Sequence, residues 1–201
     1  MSDIQEICYV TGNEGKVVET TRFLATYAPS IKLRVVNTHL EELQTLDEHE
    51  VIVYKARQAW EKLQQPLLVD DAGFYLYAYP KFPGVLTKPV IESLGFEGLY
   101  KLTAEDNRLE IYAWIVYVDK NGKMEYFHGS TKGRLVPSVG VDKAPYRFYF
   151  YTCFQPEGFN KTYAELWDDE NARESFFRVR AVKKFANWFV QHQAHIAEAN
   201  L

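Results

Sequence analysis

Residues 4–36 leave the chain few folds to choose from. Ile4 to Val10 is an apolar run of strand length. Lys16 to Tyr27 has helical spacing, with Val17, Val18, Thr21, Phe23 and Leu24 available to its inner side and Pro29 to stop it. Ile31, Leu33 and Val35 then alternate with Lys32 and Arg34 as a second strand. This strand–helix–strand opening places the chain in the α/β class. Its first connection, Thr11-Gly12-Asn13-Glu14-Gly15-Lys16, is polar and carries two glycines. Glycine permits tight turns and close backbone approach, amides at a helix start point outward, and Lys16 adds a compact positive charge. Phosphate suits such a turn, although it is not the GxxxxGK[ST] loop and a purely structural turn would read the same way.

A second informative stretch follows an acidic loop, Thr38 to Leu46, and a helix expected over Asp47 to Leu63. After Pro66, Leu67-Leu68-Val69 lead directly into Asp70-Asp71-Ala72-Gly73. This puts an acidic pair at the carboxyl end of a buried strand, where open α/β sheets place their chemistry. Adjacent carboxylates repel, so they ask for a metal ion, a lysine or a proton to move. The alternative is a solvated turn with one aspartate capping a helix.

The remaining pattern is more antiparallel. Lys88 to Leu102 reads as a helix despite Gly95 and Gly98, and Arg108 to Asp119 as a long strand. Asp119 to Lys123 is a hairpin turn into a strand over Met124 to His128, with another strand over Gly133 to Val136. The aromatic run Tyr146 to Phe154 reads as strand. Asp168 to His195 reads as a helix with Phe176, Val179, Val182, Phe185, Ala186 and Phe189 on one side. With no repeat or linker, 1–201 is expected to form one domain.

The net charge of −4 argues against nucleic acid as the partner, though not against a nucleotide. No run reaches membrane-span length, and the first residues lack the basic and apolar segments of a leader. Cys8 and Cys153 lie in apolar runs and read as free buried thiols. A cytoplasmic, non-membrane protein is expected.

The ordered motifs Thr11-Gly12-Asn13 with Lys16, Leu40 to Gln44, Lys55 to Ala59, Val69 to Gly73, Phe82-Pro83-Gly84, Gly129 to Gly133, Phe154 to Phe159 and Thr162 to Leu166 resemble the inosine triphosphate pyrophosphatase family, also called Ham1-like. The resemblance implies an elongated α/β fold with a central twisted mixed sheet flanked by helices, two lobes with a cleft between them, and a homodimer. It implies Mg2+-dependent hydrolysis of a nucleoside triphosphate, typically of a deaminated purine, to the monophosphate and pyrophosphate. Carried onto this chain, Thr11, Gly12, Asn13, Lys16, Gly73 and Lys88 would hold the substrate's phosphates. Asp71, with Asp70 beside it, and Lys55 would form the catalytic centre, and Glu42 and Asp71 would bind the metal. Phe148, Phe150 and Arg178 would lie at the base.

At the base end this sequence departs from the family. Phe148-Tyr149-Phe150-Tyr151-Thr152 stands where the family has Phe-Gly-Tyr/Trp-Asp-Pro, and Phe176-Phe177-Arg178 where it has Ser-His-Arg. Asn171-Ala172-Arg173 replaces a lysine-bearing segment, while Ala72 replaces a hydroxyl residue that could contact phosphate. Clustered at one end, these changes favour a changed or relaxed base preference. A non-catalytic homologue is the alternative. The aromatic replacements suit stacking on a base and an ordinary aromatic core equally.

Overall fold

The computed structural model describes residues 4–199; Met1 to Asp3 and positions 200–201, part of the unit expected over 1–201, lie outside the described residues. Among the described residues seven strands form one sheet: β1 (Gln5–Val10), β2 (Ile31–Val36), β3 (Leu67–Leu76), β4 (Pro83–Gly84), β5 (Arg108–Val118), β6 (Met124–Leu135) and β7 (Phe154–Pro156). The order is β2-β1-β3-β5-β6-β7, with β4 paired to β3. β1 runs parallel to β2 and β3, and every other pairing is antiparallel. The expected α/β start and antiparallel continuation therefore share one mixed sheet.

Among the described residues five helices accompany the sheet: α1 (Glu14–Tyr27), α2 (Glu48–Leu63), α3 (Thr87–Leu102), α4 (Tyr163–Leu166) and α5 (Phe177–Ala199). Strand alternation sorts the core into two layers. Ile7, Tyr9 and Leu68 meet Phe23 and Leu24 of α1 and Val179, Phe185 and Phe189 of α5. Cys8, Val10, Leu67 and Val69 face the other way, onto Ile52, Ala56 and Ala59 of α2. Asn13 caps α1 by accepting from Lys16 N, and Asp47 caps α2 by accepting from His49 N and Glu50 N. Each cap satisfies amides that a helix start leaves without an internal partner.

Several expected boundaries change. β3 does not end at the acidic pair but continues to Leu76, with Asp70 opposite Ile115 and Asp71 opposite Trp114 on β5. The two strands expected after the hairpin are the single β6, because residues 129–132 also pair with β5. The aromatic run is not a strand. It folds into 3-10 turns at Pro145–Arg147 and Tyr149–Thr152, with Tyr146 left-handed at φ 49°, and strand begins only at Phe154. Its rings lock against one another instead of following a ladder, Phe148 stacking on Tyr151 and Phe150 on Phe74 at 4.8 and 4.6 Å between centroids. The last helix is likewise divided. A 3-10 segment, Glu170–Ser175, is capped by Asp169, Phe176 is extended at ψ 125°, and α5 starts at Phe177. In α1 the inner face takes Glu19 and Thr20, and Thr21 is exposed. Within α3, Gly95 at φ 60° interrupts the helical backbone.

Candidate functional site

The sheet has a notch. β1 stops at Val10, opposite Val69, and β4 joins the same edge of β3 only at Phe74, while β5 covers the other edge throughout. Among the described residues no strand therefore pairs with residues 70–73 on one side, and the loop Thr11-Gly12-Asn13 enters α1 beside this gap. Asp70 turns its carbonyl into the notch, where it accepts from Lys16 Nζ at 3.4 Å. At the far end, a Cβ on Gly73 would stand 2.5 Å from Gly84 O and 2.7 Å from the Tyr112 hydroxyl, so only glycine lets the strand close here.

The two aspartates do not form a repelling pair. Successive strand side chains point to opposite faces, so Asp70 joins the α1–α5 side and Asp71 the α2 side. On the first side Lys16 Nζ lies 3.2 Å from Asp70 Oδ1, and Arg178 Nη1 donates to Asp70 Oδ2. Arg178 Nε donates to Glu19 Oε2 at 2.7 Å, and the Tyr151 hydroxyl donates to Glu19 Oε1 at 2.9 Å. Glu19, Asp70 and Arg178 are all buried. Burial alone would raise the Asp70 carboxyl, yet Lys16 and Arg178 outweigh it and hold its pKa below the ordinary value. For Glu19 burial wins over Arg178 and Tyr151, and the pKa is raised. Arg178 is desolvated too, but Asp70 and Glu19 lift it further above its already high value.

On the opposite face Lys55 Nζ lies 3.1 Å from Asp71 Oδ1 and 3.7 Å from Glu42 Oε1. Helix α2 supplies Lys55, and one turn on, Gln58 pins the acidic loop by exchanging hydrogen bonds of 2.9 Å with the Glu41 amide and carbonyl. That exchange delivers Glu42 to Lys55. Burial pulls the Lys55 ammonium down, but Asp71 and Glu42 more than compensate, so it stays a cation. Among the described residues no group of three or more metal-binding side chains assembles. Two hard carboxylates converging on one cation nevertheless suit magnesium, which is held by one or two carboxylates plus substrate phosphates and keeps several waters.

The other expected residues are placed as follows. Thr11 Oγ1 accepts from Asn13 N at 3.1 Å, shaping the loop. Gly12 is exposed, whereas Gly15 is buried under the aromatic segment, where an added Cβ would stand 2.8 Å from Phe148 Cζ. Phe148 thus lies against the first turn of α1, beside the loop. Phe150 is committed to Phe74 and Phe154 in the core. Lys88 stands apart, exposed, 3.9 Å from Glu92 on its own helix. Glu19 and Tyr151 are members of the cluster that sequence reasoning left out. Glu19 had a signal: it falls on the inner stripe of α1 with Gly15 and Phe23, and a carboxylate there needs a buried cation.

Comparison with known proteins agrees with this architecture. The Ham1 family profile matches residues 7–188. A dITP/XTP pyrophosphatase of Methanopyrus kandleri is 32% identical over 191 residues, covering 94% of this chain and 98% of the relative. An inosine triphosphate pyrophosphatase of Yarrowia lipolytica is 34% identical over 181 residues, covering 89% and 92%. Among solved structures, a HAM1 protein from Coxiella burnetii superposes with a TM-score of 0.73 at 20% identity, covering 92% of this chain and 98% of that one. The Staphylococcus aureus Ham1 protein gives 0.70 at 17% identity, covering 94% and 100%.

Proposed function

Because the chain belongs to the Ham1 family, we propose that it is a nucleoside triphosphate pyrophosphatase, hydrolysing a triphosphate to the monophosphate and pyrophosphate. One observation carries the reading: the notch at residues 70–73 is flanked on one face of the sheet by Lys16 and on the other by Lys55, each held by an aspartate of β3. A polyanion entering at this edge reaches both cations without crossing the sheet. Such a reaction consists largely of positioning and charge compensation.

In this reading Lys16, the Thr11 to Asn13 loop and the open backbone of β3 hold the phosphates. Lys55 compensates charge at the reacting phosphorus, and Asp71 orients the attacking water and takes up its proton. Asp70 is spent on Lys16 and Arg178 and works by fixing Lys16. Glu42 and Asp71 would hold Mg2+, which when bound neutralises phosphate charge and acidifies a coordinated water. The base preference is relaxed in this proposal. Tyr151 stands where the family has aspartate and gives its hydroxyl to Glu19, and Phe176 stacks on Tyr163 at 4.2 Å, so neither replacement offers a base the polar group that the family has there. A homodimer is part of the same expectation, and light scattering on the purified chain measures it.

The test is a panel of natural and deaminated triphosphates with Mg2+ and product identification. Pyrophosphate release is expected from several bases. Lys16→Ala should weaken triphosphate binding, whereas Asp71→Asn should mainly lower kcat, by roughly 10²- to 10⁴-fold. Release of no pyrophosphate from any member would refute the assignment. A second reading, nucleotide binding without turnover, draws on the enclosure of Arg178; it predicts binding that is unchanged in Asp71→Asn.

A further inference from the structure

Arg178 sits at the position the family resemblance assigns to base recognition, and two of its donors are committed to buried carboxylates. Its side chain is 2% exposed, with Nε on Glu19 and Nη1 on Asp70. The Phe177 ring lies 5.3 Å from the guanidinium carbon. The second oxygen of Glu19 is taken by Tyr151. A base that took either of these two N–H groups would displace a buried carboxylate and leave it unpaired in the core. The chain of contacts leads elsewhere, from Tyr151 through Glu19, Arg178 and Asp70 to Lys16 at the mouth of the notch.

We propose that Arg178 and Glu19 are positioning residues for the phosphate end of the ligand: Arg178, clamped between Glu19 and Asp70, fixes the Asp70 carboxylate, and Asp70 in turn fixes the Lys16 ammonium. The argument rests on the reading of Lys16 as a triphosphate ligand.

Charge and geometry both support it. The cluster holds two carboxylates, Glu19 and Asp70, and two cations, Arg178 and Lys16, so it is neutral as built. Three members are enclosed and only Lys16 reaches outward, its side chain 18% exposed. A lysine is a point charge on a stem with four rotatable bonds, and unrestrained it would have to be ordered each time a ligand binds. Here its ammonium is tied to both the carbonyl and the carboxylate of one residue, and the rigid guanidinium fork holds that carboxylate from behind. Without Arg178, two enclosed carboxylates would compete for Lys16 alone and draw it inward, away from an arriving phosphate.

Inorganic tripolyphosphate, which has no base, separates the roles. Its affinity is measured by calorimetry for the wild type, Glu19→Gln, Arg178→Met, Arg178→Lys and Tyr151→Phe, together with the ratio of affinities for ITP and ATP, which differ at position 6. Arg178→Met is expected to weaken tripolyphosphate binding about tenfold or more, within the range a misplacement of ~1 Å can cost. Arg178→Lys should restore part of the loss, Glu19→Gln should show an intermediate loss and Tyr151→Phe a smaller one. The ITP to ATP ratio should stay constant throughout. Wild-type affinity for tripolyphosphate in folded variants overturns the proposal, as does a change in the ITP to ATP ratio larger than the change in tripolyphosphate binding. If Arg178→Met does not fold, Glu19→Gln and Tyr151→Phe carry the same test, and two unchanged affinities overturn it. Wild type that fails to bind tripolyphosphate also overturns it. Wild type that binds tripolyphosphate but releases no pyrophosphate from any nucleotide refutes the enzymatic assignment alone.

Discussion

Gly129 sits where α5 crosses β6 with no side chain between the two backbones. A Cβ there would run into the Phe177 carbonyl oxygen and stand 2.6 Å from Ala181 N, so Gly129→Ala must lift the start of α5 by roughly 1 Å to regain ordinary contact. Alanine suits strand backbone, so the cost comes from the displacement. Lifting α5 loosens its packed face, Val179, Val182, Phe185 and Phe189, and lengthens the Arg178 bonds to Asp70 and Glu19. Overpacking of this kind costs about 1–3 kcal/mol, and weakening an enclosed ion pair adds to it, for an expected loss of about 2–4 kcal/mol. For a chain of this size that lowers Tm by roughly 5–15 °C. Thermal and urea unfolding followed by circular dichroism measure it. Gly12→Ala is the control, because its Cβ would meet only the end of the Asn37 side chain, at 3.0 Å, and should change stability by less than ~0.5 kcal/mol. If the two variants melt within about 2 °C of each other, α5 is not seated on the glycine and the reasoning fails.

Other expectations follow from the same contacts. Asp70→Asn leaves Arg178 and Lys16 without their shared carboxylate and should cost about 3–5 kcal/mol at pH 7. Because the folded-state pKa of Asp70 lies below its ordinary 3.8, the wild type has this contribution in full above that value and loses it as pH falls through the folded pKa; the stability gap between wild type and variant should therefore narrow below about pH 4, as urea unfolding across pH would register. Burial pushes the Cys153 thiol up to about 12, so alkylation of the native protein at pH 8 should run at least ~10³-fold slower than that of a free thiol and rise about tenfold per pH unit, as mass spectrometry of the labelled residue would follow. Asn13→Ala removes the α1 cap on Lys16 N and should lower stability by about 1 kcal/mol in the same unfolding assay, with Asn13→Asp close to wild type.

Local pattern was a sound guide wherever local forces decide the structure. Val179, Val182, Phe185, Ala186 and Phe189 are buried as their helical spacing requires, and the strand–helix–strand start is present, whereas Phe176 is buried from the extended residue ahead of α5. Errors arose where distant residues set the outcome. Two charges in mid-sequence look like the end of a buried strand, and β3 can continue through them only because Lys16, 54 positions earlier, and Arg178, 108 positions later, neutralise Asp70. The run Tyr146 to Phe154 has the aromatic content of a strand, but no neighbouring strand reaches residues before Phe154, and the rings satisfy one another. Glu19 was left out for the same reason, since its cation is 159 positions away. Loop placement was also out of local reach: Glu42 reaches Lys55 through two hydrogen bonds made by Gln58, which no spacing rule announces.

The separation of Asp70 and Asp71 onto opposite faces of β3 bears on how such a protein can change over time. Two groups adjacent in sequence occupy compartments divided by the sheet itself, so a substitution around Arg178, Glu19 or Tyr151 reshapes one without repacking the carboxylates and lysine of the other. Register supplies a further asymmetry. Inserting one residue ahead of Asp70 would move an aspartate to the α2 face and put Val69 on the α5 face, whereas a deletion would keep an acid on the α5 face and put Ala72 opposite Lys55. Either slip would also bring Ala72 or Phe74 to the place where only glycine fits, so the two compartments can be retuned separately by substitution and not by a change of register.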